Sequence, residues 1–353
     1  MLAAKASNSI LTKTRAKYGR RLTPKNYRDL AALGSVGDVA AYLKTHTHFA
    51  EGLAGVQESA LHRGNLEKLL QQSNLKDIDR LCQFERSVGD HLFEYIIMRG
   101  EIDELLRFIR HLMAGRPEEY ILDMSYRFNH FTRLDLMALP KLKSYGELAA
   151  YLQSTRYGRV MKPFEEGKLE FSIGNLESAF DRFLYKESFA MLRRSFSGET
   201  KKELVFILSL EAELSNIRRI YRAKRYYDGS ADALAEHILP YNCLLSPRQL
   251  ESMLKAADGT EVLSILRASR YGKYTGRFDP TEIDSFSRRV MQDYCERKLH
   301  FSTHPAVVMA CFFRFAEDEV DNITNIIEGI RYGLSPDRIS AMLVLPGKKE
   351  GDV

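Results

Sequence analysis

The chain has 353 residues, 44% of them hydrophobic and 28% charged, a composition that folds readily and excludes intrinsic disorder. Its length suggests two or three domains, and no run approaches the roughly 18–20 apolar residues of a membrane span. The net charge of +5, from 52 Lys and Arg against 47 Asp and Glu, is weak evidence for a polyanionic partner over this length.

Much of that charge sits at the start. From Met1 to Arg28 there is no acid, while Lys5, Lys13, Arg15, Lys17, Arg20, Arg21, Lys25 and Arg28 are basic. An acid-poor, Arg-containing start is compatible with a transit peptide, but it lacks the apolar core of a secretory signal. We read it as part of the folded chain. Leu22-Thr23-Pro24 then predicts a helix start, with a hydroxyl at the cap and Pro at the first helical position. Leu245-Ser246-Pro247 repeats it, and Leu22 with Tyr27, and Leu245 with Leu250, stand at hydrophobic-staple spacing.

An internal repeat organises the rest. Gly37-Asp-Val-Ala-Ala-Tyr-Leu43 returns as Gly146-Glu-Leu-Ala-Ala-Tyr-Leu152 and, more weakly, as Thr260-Glu-Val-Leu-Ser-Ile-Leu266. The second and third copies continue alike, with Thr155-Arg-Tyr157-Gly158 matching Ser269-Arg-Tyr271-Gly272. Each copy leads to a long helix. Glu213-x-x-Asn216-Ile217 lines up with Glu319-x-x-Asn322-Ile323, and Glu101-x-x-Glu104-Leu105 is the divergent first copy. In the second helix Ile207, Leu210, Leu214, Ile217 and Tyr221 form an apolar stripe, and Arg218, Arg222 and Arg225 a separate basic row. The third carries Glu317, Asp318, Glu319 and Asp321, with Glu328 where the second has Arg222. Sustained period-two alternation is absent, so no strand is expected. Gly100, Gly115-Arg-Pro117, Ser197-Gly198, Asp228-Gly229 and Asp258-Gly259 read as turn signals. The expectation is an all-α fold of three similar units, residues 1–124, 125–236 and 237–353.

Chemistry is harder to find. There is no phosphate loop, no dinucleotide fingerprint and no Gly-x-Ser-x-Gly elbow. The four cysteines, Cys82, Cys243, Cys295 and Cys311, are scattered and read as reduced thiols. The sequon Asn322-Ile-Thr324 reads as chance. His300 and His304 have metal-ligand spacing, but Phe301 occupies the position of the glutamate that a metalloprotease would need. His46 and His48 flank Thr47 without a nearby Cys or acid in sequence. Structural or surface roles suit both pairs, and we expect no metal, no cofactor and no catalytic residue. The basic row with Tyr221, Tyr226 and Tyr227 leaves three readings open: a solvated helix end, a docking surface for another protein, or single-stranded nucleic acid. The repeated Glu213, Asn216, Glu319 and Asn322 are expected to serve packing, with each Glu capping or pairing to Arg inside its own unit.

The chain resembles the C subunit of bacterial and archaeal V-type (A-type) rotary ATPases, related to the d subunit of eukaryotic vacuolar ATPases. The matching residues are Arg15-Ala-Lys17 ahead of Leu22-Thr-Pro24, Val39-Ala-Ala-Tyr-Leu43 and Thr155-Arg-Tyr157. Further matches are Glu213-x-x-Asn216-Ile-Arg218 running into Tyr221-Arg-Ala-Lys224, and Glu319-x-x-Asn322-Ile323 leading to Gly333-Leu-Ser-Pro336. Departures are Thr324, Asn325 and Ile330 where the second helix has Arg218, Arg219 and Lys224, and Glu104 in the first copy. The resemblance implies three helical domains arranged as a funnel with pseudo-threefold symmetry. It implies a non-enzymatic rotor subunit on the cytoplasmic face of the membrane, joining the central stalk to the proteolipid ring and coupling ATP hydrolysis or synthesis to H⁺ or Na⁺ translocation. Arg218, Arg222, Arg225 and Tyr226 are then candidates for a partner interface. A free-standing helical-repeat scaffold or RNA-binding protein is the alternative.

Overall fold

In the computed structural model, which describes residues 2–58, 61–88, 91–124, 132–227 and 230–345, every regular element is a helix. In chain order these are α1 (Leu2–Tyr18), α2 (Pro24–Ala31), α3 (Val36–His46), α4 (Arg63–Val88), α5 (Leu92–Met113), α6 (Tyr120–Asp123), α7 (Tyr145–Gln153) and α8 (Gly158–Glu165). There follow α9 (Ile173–Ser195), α10 (Gly198–Tyr226), α11 (Ala231–Ala235), α12 (Pro247–Lys255), α13 (Gly259–Ala268), α14 (Gly272–Thr275), α15 (Ile283–Phe301), α16 (Pro305–Arg331) and α17 (Pro336–Ala341). The all-α expectation is borne out among the described residues.

The repeated sequence folds into a repeated block of short helices, and the caps show why. Thr23 and Ser246 cap α2 and α12 with full capping boxes, in which Asn26 and Gln249 answer with their side chains. The staple residues Leu22, Tyr27, Leu245 and Leu250 are all buried. Ser35, Ser144 and Asp258 cap α3, α7 and α13, each accepting the amide of an acid at the third helical position, Asp38, Glu147 or Glu261. Behind each cap the same three positions are buried: Val39, Ala40 and Leu43; Leu148, Ala149 and Leu152; Val262, Leu263 and Leu266. Each block then turns on a hydroxyl. Thr47, Thr155 and Ser269 donate to the carbonyls of Leu43, Leu152 and Leu266 and accept the amides of Phe49, Tyr157 and Tyr271.

The first block shares this turn, which aligned sequences hide. One extra residue lies between Leu43 and Thr47, so Phe49 takes the ring position held by Tyr157 and Tyr271. The second block has no counterpart of α2 and α12 and enters through a single 3₁₀ turn at Leu139–Lys141, which carries Pro140. Gly100, expected at a turn, lies inside α5, where apolar residues on both sides carry the helix through it. Gly115, with φ +71°, does occupy a turn that requires the left-handed region, and Gly198, with φ +57°, does so at the first position of α10. Asp228-Gly229 and the proposed boundary near 125 lie outside the described residues.

The chain forms two compact units, one of residues 1–89 with 197–353 and the other of residues 90–196. In the first, α1, α4 and α16 pack together, α15 lies against α16, and the short block α2–α3 sits on α16 and α17. One apolar cluster runs from Leu22, Tyr27, Leu30 and Leu43 through Leu66 and Leu70 to Val320, Ile323, Ile327 and Ile339. In the second unit α5 packs on α9, around the buried rings of Phe108, Tyr120, Tyr157 and Phe180.

Candidate functional site

Three long helices each hold a buried glutamate that accepts donors from a short-helix block. On α5, Glu101 accepts the Thr132 hydroxyl at 2.8 Å, the Arg133 amide at 2.5 Å and the Tyr157 hydroxyl at 2.6 Å. On α10, Glu213 accepts the amides of Cys243, Leu244 and Leu245 at 2.8, 2.9 and 3.0 Å, and the Tyr271 hydroxyl at 2.7 Å. On α16, Glu319 accepts the Leu22 amide at 2.8 Å, with the Arg21 guanidinium at 3.0 Å and His48 Nε2 at 3.3 Å. A carboxylate that accepts several donors can stay charged when buried, because those bonds replace its hydration.

The third junction differs in where its block comes from. Glu101 and Glu213 take the block that follows them in the chain, with Glu213 reaching 30 to 32 residues ahead. Glu319 instead takes the block near the start, 297 residues away. The expected capping or pairing of each Glu inside its own unit is therefore corrected for both: Glu213 takes its donors from residues 243–245 and 271, and Glu319 from the start of the chain. The arginine of Glu319 is Arg21, which also donates to the Phe315 carbonyl. The asparagines complete the pattern. Asn216 bridges the backbone N–H and C=O of Leu239 at 2.9 and 2.8 Å, and Asn322 does the same for Val344 at 3.0 and 2.8 Å.

Electrostatics separates two neighbouring acids on α16. Burial pushes the Glu319 carboxyl up, but Arg21, His48 and the Leu22 amide outweigh it, and the net shift is downward. Asp318, also buried, accepts from Gln292 at 3.0 Å. Burial dominates there over Arg314, Gln292 and Arg288, and its carboxyl is pushed up to about 6. Of the acidic run Glu317, Asp318, Glu319 and Asp321, the middle two are thus interior. Glu328, standing where α10 has Arg222, pairs with Arg63 of α4.

The basic row lies on the last turns of α10. Arg222 meets Asp284, at the start of α15, at 2.5 Å, and Arg218 lies 4.0 Å from the same carboxylate. Arg225 packs over Gly259, where a Cβ would come within 3.2 Å of the Arg225 Cβ. Tyr221 is buried, whereas Tyr226 and Tyr227 are 68% and 74% exposed. The row therefore combines intramolecular pairing at its base with open aromatic rings at its end.

The remaining candidates separate. His300 ends α15 against the Tyr18 ring, while His304 caps α16, so the two do not share a helix face. No group of three metal-ligating side chains occurs among the described residues. Cys243 lies 3.5 Å from Glu213, and burial with that carboxylate pushes its thiol up, away from nucleophilic character. Sequence reasoning missed His48, whose acidic partner is remote in the chain; the Thr47-x-Phe49 turn was its only local signal. No helix among the described residues is long and apolar enough to cross a membrane.

The C subunit of the A-type ATP synthase from Haloferax volcanii is 23% identical over 95% of this chain and 97% of its own. Its counterparts from Methanosphaera stadtmanae and Pyrococcus horikoshii are 21% and 22% identical, over 94% and 93% of this chain and 86% and 88% of theirs. The model of the ATP synthase (C/AC39) subunit family matches residues 10–342, so the chain belongs to that family.

Proposed function

We propose that this subunit of a rotary ATP synthase is the socket between the central stalk and the membrane proteolipid ring, passing torque between them without chemistry of its own. The family match across residues 10–342 carries the reading. Its relatives are named as C subunits of A-type ATP synthases, and no catalytic constellation stands among the described side chains. Torque transmission needs a stiff body, and packed helices fastened by buried carboxylate junctions supply one. Three repeat units, 1–124, 125–236 and 237–353, forming a pseudo-threefold funnel on the cytoplasmic face of the membrane, belong to the same proposal. Supporting it are three equivalent caps, three hydroxyl turns and three glutamate junctions.

Arg218, Arg222, Arg225 and Tyr226 are proposed to meet an acidic partner in the stalk. The half-exposed Arg222 and the open Tyr226 ring support this, since Arg and Tyr are favoured at interface centres. Glu213, Asn216, Glu319 and Asn322 are proposed to serve the fold. Co-purification of the tagged protein from membranes tests the main reading, with stalk subunits and a proteolipid ring as the expected company. Reversing the charge of Arg218, Arg222 and Arg225 together is expected to uncouple ATP hydrolysis from ion movement or release the stalk. Unchanged coupling in that triple variant would remove the row from the interface.

A further inference from the structure

The three glutamate junctions are built alike except for one donor. Tyr157 and Tyr271 hydroxyls serve Glu101 and Glu213 at 2.6 and 2.7 Å. In the third junction the ring position belongs to Phe49, which has no hydroxyl, and His48 Nε2 faces Glu319 at 3.3 Å instead. His48 is 11% exposed at its side chain, and its Nδ1 is buried without a hydrogen-bond partner among the described residues. Imidazole is the side chain that changes charge in the physiological pH range, and tyrosine does not. This junction is also the one whose block does not follow its helix in the chain.

We propose that the contact between the 22–49 block and α16 is proton-operated: the His48 imidazolium holds the block on Glu319, and loss of its proton loosens this junction alone. An ion pair becomes the contact of a neutral imidazole with a carboxylate, leaving Arg21 as the sole cation beside it. The groups facing the pair are Arg21 ahead of α2, Tyr27 on α2, and Asp318 beside Glu319 on α16. Arg21 keeps its charge throughout. Burial holds the Tyr27 hydroxyl protonated. Asp318 is a competing proton site, pushed up to about 6 by burial. Such a junction follows from the fold and is independent of the stalk-to-ring reading.

The test is amide hydrogen exchange on the full chain between pH 5.5 and 8.5, corrected for intrinsic rates. Protection of the Leu22 amide, which Glu319 accepts, is expected to fall about tenfold across the range, as the carboxylate loses one of its two cationic partners. Protection of Arg133, Leu244 and Leu245 at the other two junctions is expected to hold. His48→Gln keeps a neutral donor and should abolish the pH response, while Asp318→Asn should retain it. Persistence of the response in His48→Gln, its loss in Asp318→Asn, or an equal fall at all three junctions would overturn the proposal. Should His48→Gln fail to fold, the imidazole titration of His48, followed by nuclear magnetic resonance in the unaltered chain, takes its place. Its midpoint must coincide with the loss of Leu22 protection, and a separation of the two overturns the proposal equally.

Discussion

Asp318→Asn is expected to stabilise the protein, and to do so more as pH rises. The carboxyl is buried on α16 and pushed from 3.8 up to about 6, chiefly by burial. A group whose pKa is raised on folding contributes fully below its unfolded value and loses that contribution as pH rises through its folded value. Ionising Asp318 inside the fold therefore costs about 3 kcal/mol at pH 8, at about 1.4 kcal/mol per pKa unit. Asn has the same shape, offers an oxygen to the Gln292 amide and never ionises. The variant should exceed the parent by about 2 kcal/mol at pH 5, rising to about 3 at pH 8. Denaturant unfolding at these pH values measures the gap directly, provided the slope with denaturant is unchanged. A gap independent of pH, or a variant less stable than the parent at pH 8, would refute the argument. Either result would mean that Arg314 and Arg288 outweigh burial.

Four further variants test the junctions and packing. Glu213→Gln turns an amide NH₂ toward some of three backbone donors and should cost about 3 kcal/mol, read as a lower denaturant midpoint; Tyr271→Phe, removing one hydroxyl, should cost about 1–2. Gly329→Ala places a Cβ 2.6 Å from Ile339 Cγ1, between α16 and α17, and overpacking of this kind should cost about 1–3 kcal/mol in thermal unfolding. Arg15→Ala removes donors to the carbonyls of Leu299, His300 and Ser302 at the end of α15, and should speed amide exchange there with a loss of about 1–3 kcal/mol.

The junctions connect stability with the proposed mechanical role. A socket that carries torque must not creep, and apolar packing alone resists sliding poorly because it has no preferred register. A buried carboxylate that collects three or four donors from two segments of one short-helix block fixes that block to a single position. The cost of shifting it is the cost of leaving several buried donors unpaired.

Much of the local structure was legible in the chain itself. Helix content, the caps at Thr23 and Ser246, the staples and the buried stripe of α10 all follow from contacts within a few residues, where spacing and residue type decide the outcome. The repeat was legible for the same reason, since like sequence makes like caps. The folded chain alone decided who meets Glu319. Arg21, Leu22 and His48 lie some 270 to 300 residues away in sequence, and no periodicity reports such a contact. It also decided that Asp318 turns inward to Gln292 rather than outward with Glu317 and Asp321, and that Asp284 receives both Arg218 and Arg222. Burial and pairing are properties of what packs against a helix, and a helix's own sequence fixes only which side chains share a face.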